Sequence, residues 1–205
     1  MNFDLKAKDW DIDPQRVERA KRFAEEIIGL LGNKKTEHAL EFGSGTGLVS
    51  FQLIDHFKLI TLADTSQGMI DVLKEKIRKE NITNMNPILT DIFKENKLRH
   101  DFDSIYTLLT LHHIKDIRRT LKIFNSILKK GGQVFIGDLV KEDGSFHFRD
   151  PEFDGHKGFD PVEMKQLMIS NGFEITCDKI FTIIEREVQN KIKKYPLFFL
   201  AGRKL

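Results

Sequence analysis

One cysteine, Cys177, occurs in 205 residues. A lone thiol closes no intrachain disulfide, and without a CxxC pair there is neither a thiolate metal site nor a redox motif. Such usage fits a reducing compartment. Proline and glycine are sparse, at 5 and 14 residues, and 40% of the chain is hydrophobic. That composition excludes a Gly/Pro-repeat fibre and a disordered chain alike. Long apolar runs are missing: the densest, Pro196-Leu197-Phe198-Phe199-Leu200-Ala201, falls far short of the roughly 20 residues that cross a bilayer. The first residues, MNFDLKAKDWDID, scatter charges where a secretory signal needs an apolar core. A cytoplasmic protein without a membrane partner is expected. Excess charge of one sign is missing too, since 33 Lys and Arg face 31 Asp and Glu for a net +2. The strong basic footprint of a dedicated nucleic-acid binder is therefore not in the sum.

What is present is periodic. From Asp13 to Leu31, Val17, Ala20, Phe23, Ala24, Ile27, Ile28 and Leu31 recur every three or four residues, the spacing of one helical face. Asp13-Pro14 forms an N-cap and first turn, and Gly32-Asn33 a stop. Short apolar runs then alternate with amphipathic ones. Strands are expected at 38–42, 59–63, 86–90, 102–109 and 133–138. Helices are expected at 48–56, 68–80 and 117–129, with a turn at Gly131-Gly132. This alternation implies βαβ units. After Leu139 the pattern changes to an irregular stretch over 140–160, a helix over 161–171 and two strands, 173–184 and 196–204. About ten residues separate those strands, too few for a helical crossover. The expected fold is α/β: a doubly wound, Rossmann-like seven-stranded sheet, mostly parallel, ending in an antiparallel hairpin, with helices on both faces.

Glu41-Phe42-Gly43-Ser44-Gly45-Thr46-Gly47 leads from a buried strand into a helix, where open α/β sheets bind ligands. A dinucleotide fingerprint counted through Gly43 and Gly45 needs glycine at Leu48, and no GK[ST] follows for a Walker loop. The spacing present is ExGxGxG. With it come Asp64 closing the second strand, Asp91 closing the third, Leu111-His112-His113-Ile114 after the fourth, and Leu128-Lys129-Lys130-Gly131-Gly132 before the fifth. On these residues the chain resembles the class I S-adenosylmethionine-dependent methyltransferases, from about Asp9 to Leu205. The resemblance implies one domain: an N-terminal lid and helix (1–35), a cofactor-binding core (36–139), and an acceptor-pocket loop, helix and hairpin (140–205).

It also implies S-adenosyl-L-methionine as cofactor, leaving S-adenosyl-L-homocysteine as product. Asp64 would accept both ribose hydroxyls, Asp91 the adenine amino group, and Ile92 would read the ring through its backbone. Met69 would pack on the adenine face, and Glu41 would face the ammonium of the methionine moiety. Gly43, Ser44, Gly45, Gly47, Thr65, Thr107 and His112 complete the implied cofactor surface.

Methyl transfer mainly requires alignment and exclusion of water. A base is needed only where the acceptor loses a proton. Candidates are His113 beside His112, Asp138 at the end of the fifth strand, and His147 and His156 in the loop beyond it. That loop, Asp138–Asp160, sets three basic against seven acidic residues, with Phe146, Phe148 and Phe153 as candidate pocket walls. No HxH or HxxxH spacing exists, so no metal is expected. Trp10 is a candidate lid residue.

The residues after the fourth strand, Tyr106-Thr107-Leu108-Leu109, lack the Asn/Asp-Pro-Pro-Tyr/Phe grip of amino-methylating nucleic-acid enzymes. Basic stretches at 115–130 (+5) and 185–205 (+4) lack interleaved aromatics. A small-molecule acceptor is expected, with nucleic acid argued against. A protein or RNA acceptor, or a binding module without turnover, are the alternatives.

Overall fold

The computed structural model describes residues 3–32, 36–94, 98 and 101–205. A single helical turn, α1 (Phe3–Lys6), runs into a 3-10 stretch at Ala7–Ile12 and then into α2 (Pro14–Leu31). Asp13 caps α2 by accepting from Gln15 N at 2.9 Å, and Ala20, Phe23, Ala24 and Ile27 form its buried stripe. The Gly32 N–H closes the helix onto Ile28 O. Asn33, the other half of the expected stop, lies outside the described residues.

The strands are β1 (Thr36–Phe42), β2 (Phe57–Asp64), β3 (Met85–Leu89), β4 (Phe102–Leu108), β5 (Leu128–Leu139), β6 (Phe173–Val188) and β7 (Lys191–Lys204). They form one sheet in the order β3-β2-β1-β4-β5-β7-β6. β1 to β5 pair in parallel, while β7 runs antiparallel to both β5 and β6. The expected mixed seven-stranded sheet is what forms. Successive strand residues face opposite sides, so Leu40, Ile105 and Ile136 join one core with α5 (Ile117–Ile127) and α6 (Pro161–Ser170). Ala39, Tyr106 and Phe135 join the other, with α2, α3 (Ser50–Leu53) and α4 (Gln67–Lys79). Both faces are covered, which explains why these strands read as continuous apolar runs. The order reverses beside β1, so the carboxyl ends of β1 and β4 mark the switch point at which open α/β sheets bind ligands.

Four local expectations need correction. The helix expected over 48–56 is a single turn, α3, because Gln52 N and His56 N bond three residues back, to Val49 O and Leu53 O, and tighten the chain on either side. α5 stops at Ile127, and β5 already begins at Leu128, running through Gly131 with a register shift against β4 rather than starting after a turn. The closing hairpin is longer than expected. Gln189 and Asn190, at φ 50° and 60°, turn the chain in two residues, the left-handed conformation that matches strand twist. Its charged ends pair across the strands, as Lys194 does with Glu185 at 3.1 Å. The N-terminal turns were not foreseen, since ten residues carry too little periodicity.

Candidate active site

The glycine turn leaves β1 through Gly43, Gly45 and Gly47, all with positive φ. Gly43 N and Ser44 N both donate to Ala63 O, at 2.8 and 3.1 Å, folding the turn over the end of β2. A Cβ on Gly43 would lie 2.2 Å from Thr110 Cγ2, so glycine is required for space as well as backbone angle. Below the turn, Glu41 is 3% exposed. Its Oε2 accepts from Ser50 Oγ, which also lies 2.6 Å from Tyr106 OH. Burial pushes the Glu41 carboxyl up to about 8, opposed by the Ser50 hydrogen bonds. Glu41 is thus tied inward beneath the turn.

Asp64 joins the turn to the next helix. Its Oδ2 accepts from Gly45 N at 2.7 Å and its Oδ1 from Ser66 N at 2.8 Å. Burial raises its pKa against those bonds. Each oxygen retains a lone pair beyond its backbone partner. Met69, held in α4 by its N–H to Ser66 Oγ, is buried beside Gly45. Thr65 is exposed next to them. Thr90 N donates to Asp64 O at 2.9 Å, so Asp91 follows at the same edge. Burial pushes the Asp91 carboxyl up, but the Phe93 N–H and Lys94 outweigh it and hold the pKa down. Ile92, its neighbour, packs partly into the core.

Past β4, Leu109 takes a positive φ of 52°, and a 3-10 turn follows at Leu111–His113. Here His112 Nδ1 lies 2.6 Å from Asp138 Oδ1, with the residues 2% and 0% exposed. Asp138 Oδ2 also accepts from His112 N at 3.2 Å. Asp138, expected among catalytic groups, is therefore enclosed and orients His112. The rings of His112, His113 and His147 lie 4.1 to 5.4 Å apart between centroids. Phe153 stacks on His147 at 3.7 Å. Burial first, then the neighbouring imidazoles, holds the His113 pKa at about 3; burial and His112 hold His147 at about 4. Both are neutral at pH 7. His156 stands apart: its N–H supports His112 O at 2.7 Å, while its ring packs on Phe159 and its Nε2 lies 3.3 Å from Lys115 O.

The N-terminal segment lies across this edge. Asp4 accepts from Gly68 N at 2.8 Å and from Ser66 Oγ. Asp11 accepts from Thr46 Oγ1 and from Lys76 Nζ, the latter at 2.6 Å. Trp10 Nε1 comes within 3.9 Å of the space a Cβ on Gly45 would fill. Phe3 meets Trp10 and His113 edge-on, with centroids at 5.9 and 5.3 Å.

Residues 40–134 match the family model described as "Methyltransferase domain". An uncharacterized methyltransferase of Schizosaccharomyces pombe is 35% identical over 115 residues, covering 53% of this chain and 40% of that protein. The ubiquinone biosynthesis O-methyltransferase of Coxiella burnetii is 31% identical over 128 residues, covering 62% of this chain and 51% of that one. A crystal structure of an S-adenosylmethionine-dependent methyltransferase from Aquifex aeolicus superposes with a TM-score of 0.71 at 19% identity, covering 98% of both chains. Residues 40–134 of this chain thus match a methyltransferase domain, and the whole chain shares the fold of the Aquifex methyltransferase. The chain spans about half the length, or less, of these two curated relatives.

The methyltransferase match includes the glycine turn, Asp64, Asp91, Thr107, His112 and His113, and it ends before Asp138, His147 and His156. Asp4, Trp10 and Asp11 precede it. The N-terminal segment and the third histidine of the cluster thus lie outside the residues that the family model matches. Sequence reasoning missed Asp4, Asp11 and Lys76, whose only signal was a run of acidic residues ahead of a helix cap.

Proposed function

We propose that this protein is an S-adenosylmethionine-dependent methyltransferase acting on a small organic acceptor. The observation that carries the reading is Asp64, whose two oxygens fix Gly45 and Ser66 at the switch point of the sheet. The donor set suits the cofactor: Ser44 Oγ, Thr90 Oγ1 and Thr107 Oγ1 are buried around this edge without a hydrogen-bond partner, and such groups call for one. S-adenosylmethionine supplies a methyl group on a sulfonium, a leaving group that needs no further activation. Asp64 would hold the ribose hydroxyls, Asp91 the adenine amino group and Met69 the ring face. Residues 3–12 would act as a lid that excludes water from the reacting atoms.

The acceptor would lie against His113 and the Phe3, Phe146 and Phe153 rings. Neutral His113 can take a proton from a hydroxyl or amine acceptor. An enclosed aromatic wall suits a small apolar ring, and the Coxiella relative's name, an O-methyltransferase of ubiquinone biosynthesis, is in keeping with acceptance at oxygen. The basic hairpin is a poor nucleic-acid surface, because Lys193 pairs with Asp143 and Lys194 with Glu185. Among the described residues no helix is long and apolar enough to cross a membrane.

Thermal shift with S-adenosylhomocysteine beside NADH tests the cofactor. At 100 times its dissociation constant the former should add about 2.7 kcal/mol of stability; stabilisation by NADH alone overturns the reading. Labelled methyl transfer into fractionated cell extract tests the acceptor class, and label found only in protein or RNA rejects a small molecule.

A further inference from the structure

We infer that His112, His113 and His147 form a binding site for a zinc-type divalent transition metal, with Asp138 as its outer-shell anchor. One ring nitrogen from each histidine lies within 4.8 Å of the others. Tetrahedral zinc at about 2.0–2.1 Å from nitrogen needs ligand atoms about 3.4 Å apart. The rings must therefore close by about 1.4 Å at most, which small side-chain rotations supply.

Three features mark this as more than a chance cluster. His112 is oriented through Nδ1 by the fully buried Asp138 at 2.6 Å, leaving Nε2 as its free lone pair. That carboxylate–imidazole arrangement fixes the tautomer of metal-binding histidines. His147 Nε2 is buried without a hydrogen-bond partner, a cost that a ligand would remove. Phe153 stacked on His147, and Phe3 edge-on to His113, hold two of the rings in a dry, apolar surround. A ligand set of three imidazoles without a carboxylate favours zinc, copper, nickel or iron over magnesium or calcium. Asp138 offsets part of the ion's charge through its hydrogen bond to the far side of the His112 ring. Three protein ligands also leave a fourth position for water or an oxygen ligand.

The spacing rules that predicted no metal look for HxH or HxxxH pairs. Here two ligands are adjacent on a 3-10 turn, and the third comes from the loop after β5, so no sequence pattern announces them. An ion held by His113 would occupy the lone pair that the proposed function uses as a base, so the site competes with that role, but it is independent of the cofactor reading, and either can fail alone.

The test uses the full chain without a histidine tag, stripped by chelator and titrated with Zn²⁺ against a coloured competitor, and with Co²⁺ followed by its visible absorption. One equivalent of Zn²⁺ and the intense bands of tetrahedral Co²⁺ are expected. His147→Ala and His113→Gln should each abolish the Co²⁺ bands, and Asp138→Asn should weaken Zn²⁺ binding 10–100-fold. S-adenosylhomocysteine thermal shifts on the same variants report folding and cofactor binding separately. Should His147→Ala fail to fold, His113→Gln decides. Binding below one equivalent in the parent, or Co²⁺ bands unchanged in a folded His113 or His147 variant, overturns the site.

Discussion

Asp11 and Lys76 form an ion pair at 2.6 Å that ties the N-terminal segment to α4, and Lys76 also donates to Thr46 O at 2.9 Å. Because Asp11 takes the Thr46 hydroxyl as well, one carboxylate links the segment, the glycine turn and the helix behind it. The pair is largely shielded, so it is not the weak, screened kind found on open surfaces. Asp11→Ala should loosen the cover and weaken S-adenosylhomocysteine binding about tenfold by calorimetry, mostly through faster release. Trp10 fluorescence should respond to the ligand in the parent and respond less in the variant. An equal fluorescence change in both would remove the lid role from this pair.

Asp64 holds the glycine turn and, in the proposed function, would also hold the ribose. Asp64→Ala removes the acceptor for Gly45 N–H and Ser66 N–H as well as the carboxylate offered to a ribose. Charge-assisted hydrogen bonds are worth about 1.5–3 kcal/mol each, so loss of two predicts at least ~100-fold weaker S-adenosylhomocysteine binding. Asp64→Asn keeps one carbonyl acceptor and should lose less. Parent-like affinity in Asp64→Ala, measured by calorimetry, would refute the ribose role.

Gly43 is constrained twice, by φ of 69° and by Thr110, whose Cγ2 and Oγ1 would lie 2.2 and 2.4 Å from a new Cβ. Thr110 has little freedom to withdraw, because its hydroxyl donates to Leu108 O at 3.1 Å. Gly43→Ala should cost about 2–4 kcal/mol in urea unfolding, from backbone strain and overpacking together. Adding Thr110→Gly removes the clash and leaves the strain, so it should recover only part of the loss. Full recovery would mean that the backbone angle costs nothing there.

The parallel core was legible because its signals are local. Strand runs such as Leu59–Ala63, the helix period through Ile70 and Leu73, and the glycines after Phe42 each act within a few residues. The same holds for Asp64 and Asp91, which sit at strand ends whose positions the runs define. What stayed hidden depends on distant partners. His147 joins His112 only because the loop after β5 brings Phe146, His147 and Phe153 against that ring. The bond from Ser50 to Glu41 joins residues nine apart across the glycine turn, and no local pattern announces it. The charged ends of the hairpin read as loop because Glu185 and Lys194 satisfy each other only when paired.

Glu41 also sets a pH dependence whose sign is opposite to that of an ordinary paired carboxylate. Its unfolded pKa is near 4.5, and burial lifts it to about 8 in the folded chain. Between those values the folded state holds the proton and the unfolded state does not. Its contribution is therefore fully present below about pH 4.5 and is lost as pH rises through about 8. Asp64 is raised by burial as well, so the two act in the same direction. Glu41→Gln replaces the protonated carboxyl with a neutral group of similar shape, able to keep the Ser50 bond. Urea unfolding of parent and variant at pH 6, 7.5 and 9 should show the parent losing stability more steeply. Parallel profiles would mean that Glu41 titrates at the same pH folded and unfolded, and that the Ser50 and Tyr106 hydroxyls stabilise the carboxylate enough to cancel its burial.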